Sequence, residues 1–438
     1  MYKLHPAARY PLRFLTAVCL LAGAVLFPEA AAQARDGPET RYIVKRKPEA
    51  ASVQGGRPEA VDAGELRALL KDGRLEWYEA DRTATLPDVF PEAENAASEA
   101  DAKTGLSEAG KLSGAVSKWY DSKMWHLDMI GAERAFELGF TGQGVRIGVI
   151  DSGVSAHPAL EGRVEAGWNY MDGTADTEDA NGHGTAVCGL IAAGTAGSMI
   201  GAAPGATLIP LKCFRGTETS VSVIVSAIYG AVDDFHCDLI NLSVGIPTDS
   251  AALREAVDYA AAKGVMIVAA VGNDGTGALY CPACYDAAVG VGSVDSTAAV
   301  YSLSNHNRSV FLTAPGASVV STNWRGGEAA YSGTSYSVAL VTAAAADLLS
   351  ADPALSPPEL QALLSETAAD RGEPGCDEYY GYGILDLRAC LEAALRNRAA
   401  PQEESTAGIR EGTAELLERL RIAADYDMQS RTAAGSAS

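Results

Sequence analysis

Hydrophobic and polar positions divide the chain into stretches of different period. Arg41-Tyr42-Ile43-Val44-Lys45-Arg46 and Arg74-Leu75-Glu76-Trp77-Tyr78-Glu79 alternate as half-buried strands do, and Ala63 to Leu70 between them has the spacing of an amphipathic helix. Farther along, the period changes. Arg146 to Ile150 and Val268 to Val271 are short apolar runs of the kind that form strands buried on both faces of a parallel sheet. Val338 to Leu349 is Ala-rich and apolar throughout, which predicts a buried helix. From about Pro91 to Val116 the composition turns to Ala, Glu, Ser, Lys and Gly with almost no bulky apolar residues, so this stretch reads as an exposed linker. After Arg396 no strand pattern follows, and Leu416, Leu417, Leu420 and Ile422 among Glu and Arg predict one amphipathic helix within Gly412 to Ala424.

The beginning of the chain has an order of its own. Lys3, Arg9 and Arg13 precede an apolar run from Phe14 to Phe27, and Ala32-Gln33-Ala34 follows it. This is the charged, apolar, small-residue order of a secretory signal peptide, and the run is short for a membrane span. A secreted, extracellular protein without a stable membrane anchor is expected. At 438 residues the chain is too long for one average domain. It divides into a signal peptide (1–34), a small α+β unit (35–90), a linker (91–117), an α/β domain (118–396) and a helical or disordered tail (397–438). The formal charge of -22 argues against nucleic acid or an anionic membrane as a partner.

Three short motifs carry candidate chemistry: Val149-Ile150-Asp151-Ser152-Gly153, Asn181-Gly182-His183-Gly184-Thr185 and Gly333-Thr334-Ser335. A serine hydroxyl is a poor nucleophile at neutral pH, so a histidine must take its proton and an acid must hold that histidine in the right tautomer. Asp151 is the expected orienting acid, His183 the general base and then acid, and Ser335 the nucleophile at the start of the buried helix. Gly182 and Gly184 are expected to let the backbone crowd the imidazole. Asn273, which ends the run Val268-Ala269-Ala270-Val271-Gly272-Asn273, is the expected side-chain donor to an oxyanion, with the Ser335 backbone N–H as its partner. Each motif alone is commonplace. Asp, His, Ser in this order is one of the few orders in which the geometry recurs.

The chain resembles the subtilisin family of serine proteases, the subtilases, from about Trp125 to about Leu395. Beyond the three motifs, the resemblance rests on Trp125-His126-Leu127-Asp128 with Ile130-Gly131-Ala132, on Gly142-Gln143-Gly144, and on Asn241-Leu242-Ser243-Val244-Gly245. Thr313-Ala314-Pro315-Gly316 and Tyr382-Gly383-Ile384-Leu385 add to it. It implies a mostly parallel α/β sheet with helices on both faces, and a secreted endopeptidase acting on protein or peptide substrates. It also implies a substrate strand at Ser243, Val244 and Gly245, and a specificity pocket walled by Ala270 and Gly272. Tyr280 stands where the family usually has Gly or Ser at the pocket floor. There it would favour small or medium apolar residues before the scissile bond, unless the ring swings out to solvent. The unit at 35–90 resembles the family's inhibitory, chaperone-like prodomain, so the chain's own prodomain is expected to act as an intramolecular inhibitor, with self-processing in or near the linker. A separate adaptor domain is the bland alternative.

The departures bear on the expectations. Ser335 is followed by Tyr336-Ser337-Val338-Ala339 where the family has Met, Ala, Ser or Thr, then Pro, and Ala186 replaces the usual second His. No cofactor and no metal are expected. Calcium is common in the family, but Ala159 stands where an Asp ligand is usual and Gly194-Thr195-Ala196-Gly197-Ser198 lacks the usual Asn. The acidic run Asp172, Asp176, Glu178, Asp179 could hold a cation or could be a solvated face. Cys19 falls in the signal run. For the rest, Cys376 and Cys390 bracket the loop before the last helix, Cys213 and Cys237 sit near two strands that the family fold makes neighbours, and Cys281-Pro282-Ala283-Cys284 is a tight loop, so three disulfides with Cys188 left free would use them all. The tight loop has neither a second ligand pair for zinc nor a thioredoxin-like context. Two other functions stay open: a catalytically silent binding scaffold and a serine esterase.

Overall fold

The computed structural model describes residues 40–47, 56–72, 74–86, 122–195 and 199–399. The signal segment, the linker and the amphipathic stretch of the tail lie outside the described residues.

The centre is a seven-stranded sheet whose pairings are all parallel. Its strands are β5 (Arg146–Asp151), β6 (Trp168–Asn169), β7 (Thr207–Lys212), β9 (Leu239–Leu242), β10 (Met266–Ala270), β11 (Ala288–Val294) and β12 (Leu312–Pro315), in the order β12-β11-β10-β9-β5-β7-β6. These strands read as apolar runs because both faces are covered, and successive side chains serve opposite faces. In β5, Ile147 and Val149 enter one core cluster and Ile150 the other; in β10, Met266, Val268 and Ala270 enter the first and Ile267 the second.

The first cluster is closed by α4 (His183–Ala192) and α7 (Thr334–Ala351), with α2 (Trp125–Ile130), α3 (Glu133–Leu138), α8 (Pro357–Thr367) and α9 (Leu387–Ala399) around them. The second is closed by α5 (Val221–Asp233) and α6 (Ala251–Ala262). Helix α7 is apolar and long enough to cross a membrane, yet 94% of it is buried inside the fold, so its hydrophobicity serves the core. Strands β13 (Val319–Thr322) and β14 (Glu328–Tyr331) form a hairpin ahead of α7.

The N-terminal unit is fuller than a strand, a helix and a strand. Strands β1 (Arg41–Arg46), β2 (Glu59–Asp62) and β3 (Leu75–Ala80) make an antiparallel sheet in the order β2-β1-β3, and α1 (Ala63–Lys71) covers one face around Tyr42, Val44, Val61, Leu66, Leu69 and Leu75. The other face, with Ile43 and Trp77, rests on the cluster of α5 and α6. Two carboxylates complete those helices' exposed starts. Glu79 accepts from Ala251 N (3.0 Å) and Ala252 N (3.1 Å) of α6, and Asp81 from Ser222 N (3.0 Å) and Oγ (2.6 Å) of α5. Arg57 pairs with Asp233, and Lys45 with Glu255 at 2.9 Å. Strand β4 (Thr83–Thr85) then pairs antiparallel with β8 (Glu218–Ser220), and Leu86 N donates to Thr217 O at 2.8 Å.

The cysteines correct the expected pairing. Cys281 and Cys284 are bonded, whereas Cys188, Cys213, Cys237, Cys376 and Cys390 are free. Strand β5 lies between β7 and β9, so the strands next to Cys213 and Cys237 are not neighbours. Cys213 also follows the carboxyl end of β7, bonded to Asp151 O, while Cys237 sits beside Gly148, lower along β5. That offset of about three residues along β5 is roughly 10 Å, beyond the reach of a disulfide. Cys390 is buried on α9 with its sulfur 2.8 Å from Thr367 Oγ1 of α8, and Cys376 is exposed in the loop before it.

One group in α7 sets a pH dependence. Asp347 is fully buried, neither carboxyl oxygen has a hydrogen-bond partner, and burial drives its pKa well above the ordinary carboxylate range. Since the folded pKa lies above the unfolded value of about 3.9, the stability supplied by protonated Asp347 is complete below about pH 4 and is lost as pH rises through the folded pKa. Asp347→Leu is therefore expected to raise Tm by ~3–9 °C at pH 8 and by less near pH 4. Thermal melts of both proteins across that range check it, and an equal difference at both ends would refute it.

Candidate active site

Asp151 is the last residue of β5 and His183 the first of α4; each is only 1% exposed. His183 Nδ1 lies 2.8 Å from Asp151 Oδ1 and 2.9 Å from Oδ2, and Nε2 is buried without a hydrogen-bond partner. Burial works against protonation of this imidazole, but Asp151, by charge and hydrogen bond, and then Asp179 outweigh it, so the net pKa is raised above the ordinary value. The expected crowding by glycine takes another form. A side chain at Gly184 would collide with Gly153 O and come within 3.2 Å of Asp151 Cβ, so this glycine lets α4 close on the strand end. Gly182, at φ +102°, makes room for Trp324 of the β13–β14 turn.

Ser335 is the second residue of α7 and is 1% exposed. Its hydroxyl donates to Ser243 O at 3.3 Å and leaves His183 Nε2 free. Tyr336, one residue on, packs its ring 5.6 Å from the His183 ring and 5.3 Å from Tyr331. Asn273 follows β10 by three residues, and its Oδ1 accepts from Thr334 N (2.8 Å) and Oγ1 (3.0 Å). With the oxygen committed, the amide nitrogen is the free end of that side chain. The Ser335 N–H, in the first turn of α7, also lacks an intrahelical acceptor.

A cleft of about 160 Å³ opens beside these groups, and Ser243, Val244, Gly245, Ala270, Gly272, Asn273, Tyr280 and Ser335 all line it. Tyr280 is wedged between its walls. A Cβ on Gly245 would meet Tyr280 Cβ at 3.0 Å, and one on Gly272 would meet Tyr280 Cδ2 at 3.0 Å. Burial, and then a hydrogen bond with Asp274, push the phenol up to about 12.

Several contributors were not anticipated from the sequence. Thr85 lines the same cleft, reaching it from β4. The alternation Thr83, Ala84, Thr85, Leu86, with only Ala84 and Leu86 buried, is the signal that could have found that strand. Asp179 belongs to the acidic run read as a cation site or a solvated face, but it is 1% exposed and hydrogen-bonded. Ala159, at the position where the family usually has an Asp ligand, presents a buried methyl, and among the described residues no three or more His, Cys, Asp or Glu side chains gather to hold a metal.

Residues 142–383 match the model of the subtilase family. Among curated proteins, subtilisin DY of Bacillus licheniformis is 36% identical over 274 residues, covering 61% of this chain and 97% of that protein. An alkaline protease of Alkalihalobacillus alcalophilus is 31% identical over 386 residues, 86% of this chain and 98% of the relative. Subtilisin Savinase of Lederbergia lenta is 35% identical over 267 residues, with coverage of 60% and 97%.

Proposed function

Since the chain belongs to the subtilase family of serine peptidases, we propose that it is a secreted endopeptidase, made as a self-inhibited precursor, in which Asp151, His183 and Ser335 cleave the peptide bond. Ser335 Oγ turns about χ1 from Ser243 O toward His183 Nε2, gives up its proton there and attacks the scissile carbonyl. Asp151 holds the Nδ1–H and stabilises the imidazolium. Asn273 Nδ2 and the Ser335 N–H receive the negative charge that develops on the carbonyl oxygen. The imidazolium then protonates the leaving amine, and water, activated by the same histidine, releases the acyl group. The observation that carries this reading is the buried Asp151–His183 pair with Nε2 free, its imidazole packed against Tyr336, the residue after Ser335, which with Asn273 lines the cleft.

An extended peptide is the substrate form that suits Ser243 to Gly245, where added main-chain hydrogen bonds would hold it. The N-terminal unit (35–90) is the inhibitor in this reading. Its β4 already occupies the edge of β8, with Ala84 and Leu86 buried and Thr85 in the cleft. Residues 1–34 direct export, the linker at 91–117 carries or adjoins the maturation bond, and 118–396 form the mature enzyme. Tyr280 sets the specificity by filling the pocket floor.

Ser335→Ala is expected to lower peptide hydrolysis by more than ~10³-fold and to accumulate as a chain that still carries residues 35–90. Casein hydrolysis, fluorophosphonate labelling and N-terminal sequencing check both parts; normal hydrolysis would sink the assignment, and correct shortening in a protease-free host would sink self-processing. Asn273→Ala should lower kcat by roughly 10²–10³-fold, the range measured for such a donor in subtilisin, with KM little changed. A loss wholly in KM contradicts it. For Tyr280, a peptide library should show cleavage after Ala or Leu preferred over Phe or Tyr, and Tyr280→Gly should raise cleavage after Phe by about 10-fold or more. Equal cleavage after Phe in both proteins would exclude Tyr280 as a gate.

A further inference from the structure

The proposed chemistry leaves one buried carboxylate beside the site without a part. Asp179 lies in the loop ahead of α4, and its described hydrogen bonds all come from neutral donors. Oδ1 accepts from Ser152 Oγ (2.9 Å), Asn181 N (2.9 Å) and Gly182 N (2.8 Å), while Oδ2 accepts from Thr185 N (3.0 Å) and Oγ1 (2.6 Å). These donors belong to two different pieces of chain. Ser152 directly follows Asp151, and Gly182 and Thr185 flank His183. The stitching is doubled, because Ser152 Oγ accepts from Gly184 N at 3.0 Å and Ser155 N donates to Thr185 Oγ1 at 3.0 Å.

We infer that Asp179 is a positioning residue for the acid–base pair, joining the end of β5 to the start of α4 so that His183 Nδ1 meets the Asp151 carboxylate, and adding a second buried negative charge that favours the imidazolium. This rests on the roles of Asp151, His183 and Ser335 proposed above. The first part follows from the bond pattern. Without a common acceptor, the strand end and the helix start would each turn N–H and O–H donors toward a buried space with nothing to receive them, at a cost large enough to shift one against the other. The second part follows from Coulomb attraction in a water-poor site, and the charge of Asp179 acts on His183 in the same direction as that of Asp151. The other titratable groups packed about Asp151, Asp179 and the imidazole include Tyr336 on α7, Tyr331 on β14, Cys188 farther along α4 and Cys213 after β7. Burial raises all four above their ordinary values, so they remain neutral through the working range.

The test uses the full chain after maturation, with active sites counted by a fluorophosphonate probe, and two variants. Asp179→Asn keeps the shape but replaces one acceptor by a donor and removes the charge; Ser152→Ala cuts the strand-side bond and keeps the charge. Asp179→Asn is expected to lower kcat about 10- to 100-fold with KM within about twofold, and to move the acid limb of the kcat/KM profile to lower pH. Ser152→Ala is expected to lower kcat by less and leave the acid limb in place. A wild-type kcat and acid limb in Asp179→Asn overturn the inference while leaving the proposed triad intact. If Asp179→Asn does not accumulate folded, Ser152→Ala decides: a reduced kcat at an unmoved acid limb supports the positioning role, and an unchanged kcat overturns it. A wild-type protein that neither hydrolyses peptides nor takes the probe overturns both the triad and the role given to Asp179.

Discussion

A parallel sheet covered on both faces is the constraint on which the rest of this structure depends. Parallel strands all end on the same edge, and the helices that return the chain start from it, so strand ends and helix starts converge. The order β9-β5-β7 adds a direction. From β5 the chain goes on to β7 on one side and later to β9 on the other, which leaves a crevice over the end of β5. Asp151 ends that strand, Ser243 and Asn273 follow β9 and β10, and His183 and Ser335 begin α4 and α7. Residues far apart in sequence are thus held by elements whose cores are buried, and the cleft needs no dedicated scaffold of its own.

The same asymmetry explains how the N-terminal unit sits. A helix start offers unpaired N–H groups and a partial positive charge. Helices α5 and α6 both begin on the rim near β8, and Asp81 and Glu79 fill those starts while Ile43 and Trp77 cover the apolar surface between. Once docked there, the unit delivers β4 to the edge of β8, an edge strand that would otherwise be open to pairing. Docking by helix capping and pairing by strand addition are therefore two uses of one feature, the common end of the sheet and its helices.

The sequence was most readable where local pattern and buried role agree. The runs at β5 and β10, the apolar α7, and the alternation at β1 and β3 predicted these elements to within a few residues; of the candidate site residues, Asn273, Ser335 and the six expected pocket residues line one cleft, and Asp151 and His183 form a buried pair against Tyr336. Its failures share a physical cause: each turned on which strands are neighbours, or on which groups a side chain meets across the fold. Cys213 and Cys237 were expected to bond because their strands were taken as adjacent, and β5 lies between them. Strand β4 is three residues long and pairs with β8, so only the short Thr-Ala-Thr-Leu alternation announces it, and that alternation does not name its partner. Asp179 was read with its acidic neighbours because charge density along the chain says nothing about which carboxylate turns inward.

Asp179 also shows how a chain of formal charge -22 carries buried acids at its centre. Asp179 accepts from backbone N–H and hydroxyl groups at a helix start, as the half-buried Glu79 and Asp81 do nearer the rim, and Asp151 accepts from Ser152 N at 2.7 Å as well as from the imidazole. Neutral donors satisfy these oxygens and bring no positive charge of their own. A lysine or arginine beside Asp151 would compete with His183 for the carboxylate and would disfavour the imidazolium by its own charge. Asp347 marks the contrast, since it meets no such donors and burial drives it toward the protonated form. Whether a buried acid in this fold can lend its charge to the cleft therefore depends on its place at a helix start, and burial alone does not confer it.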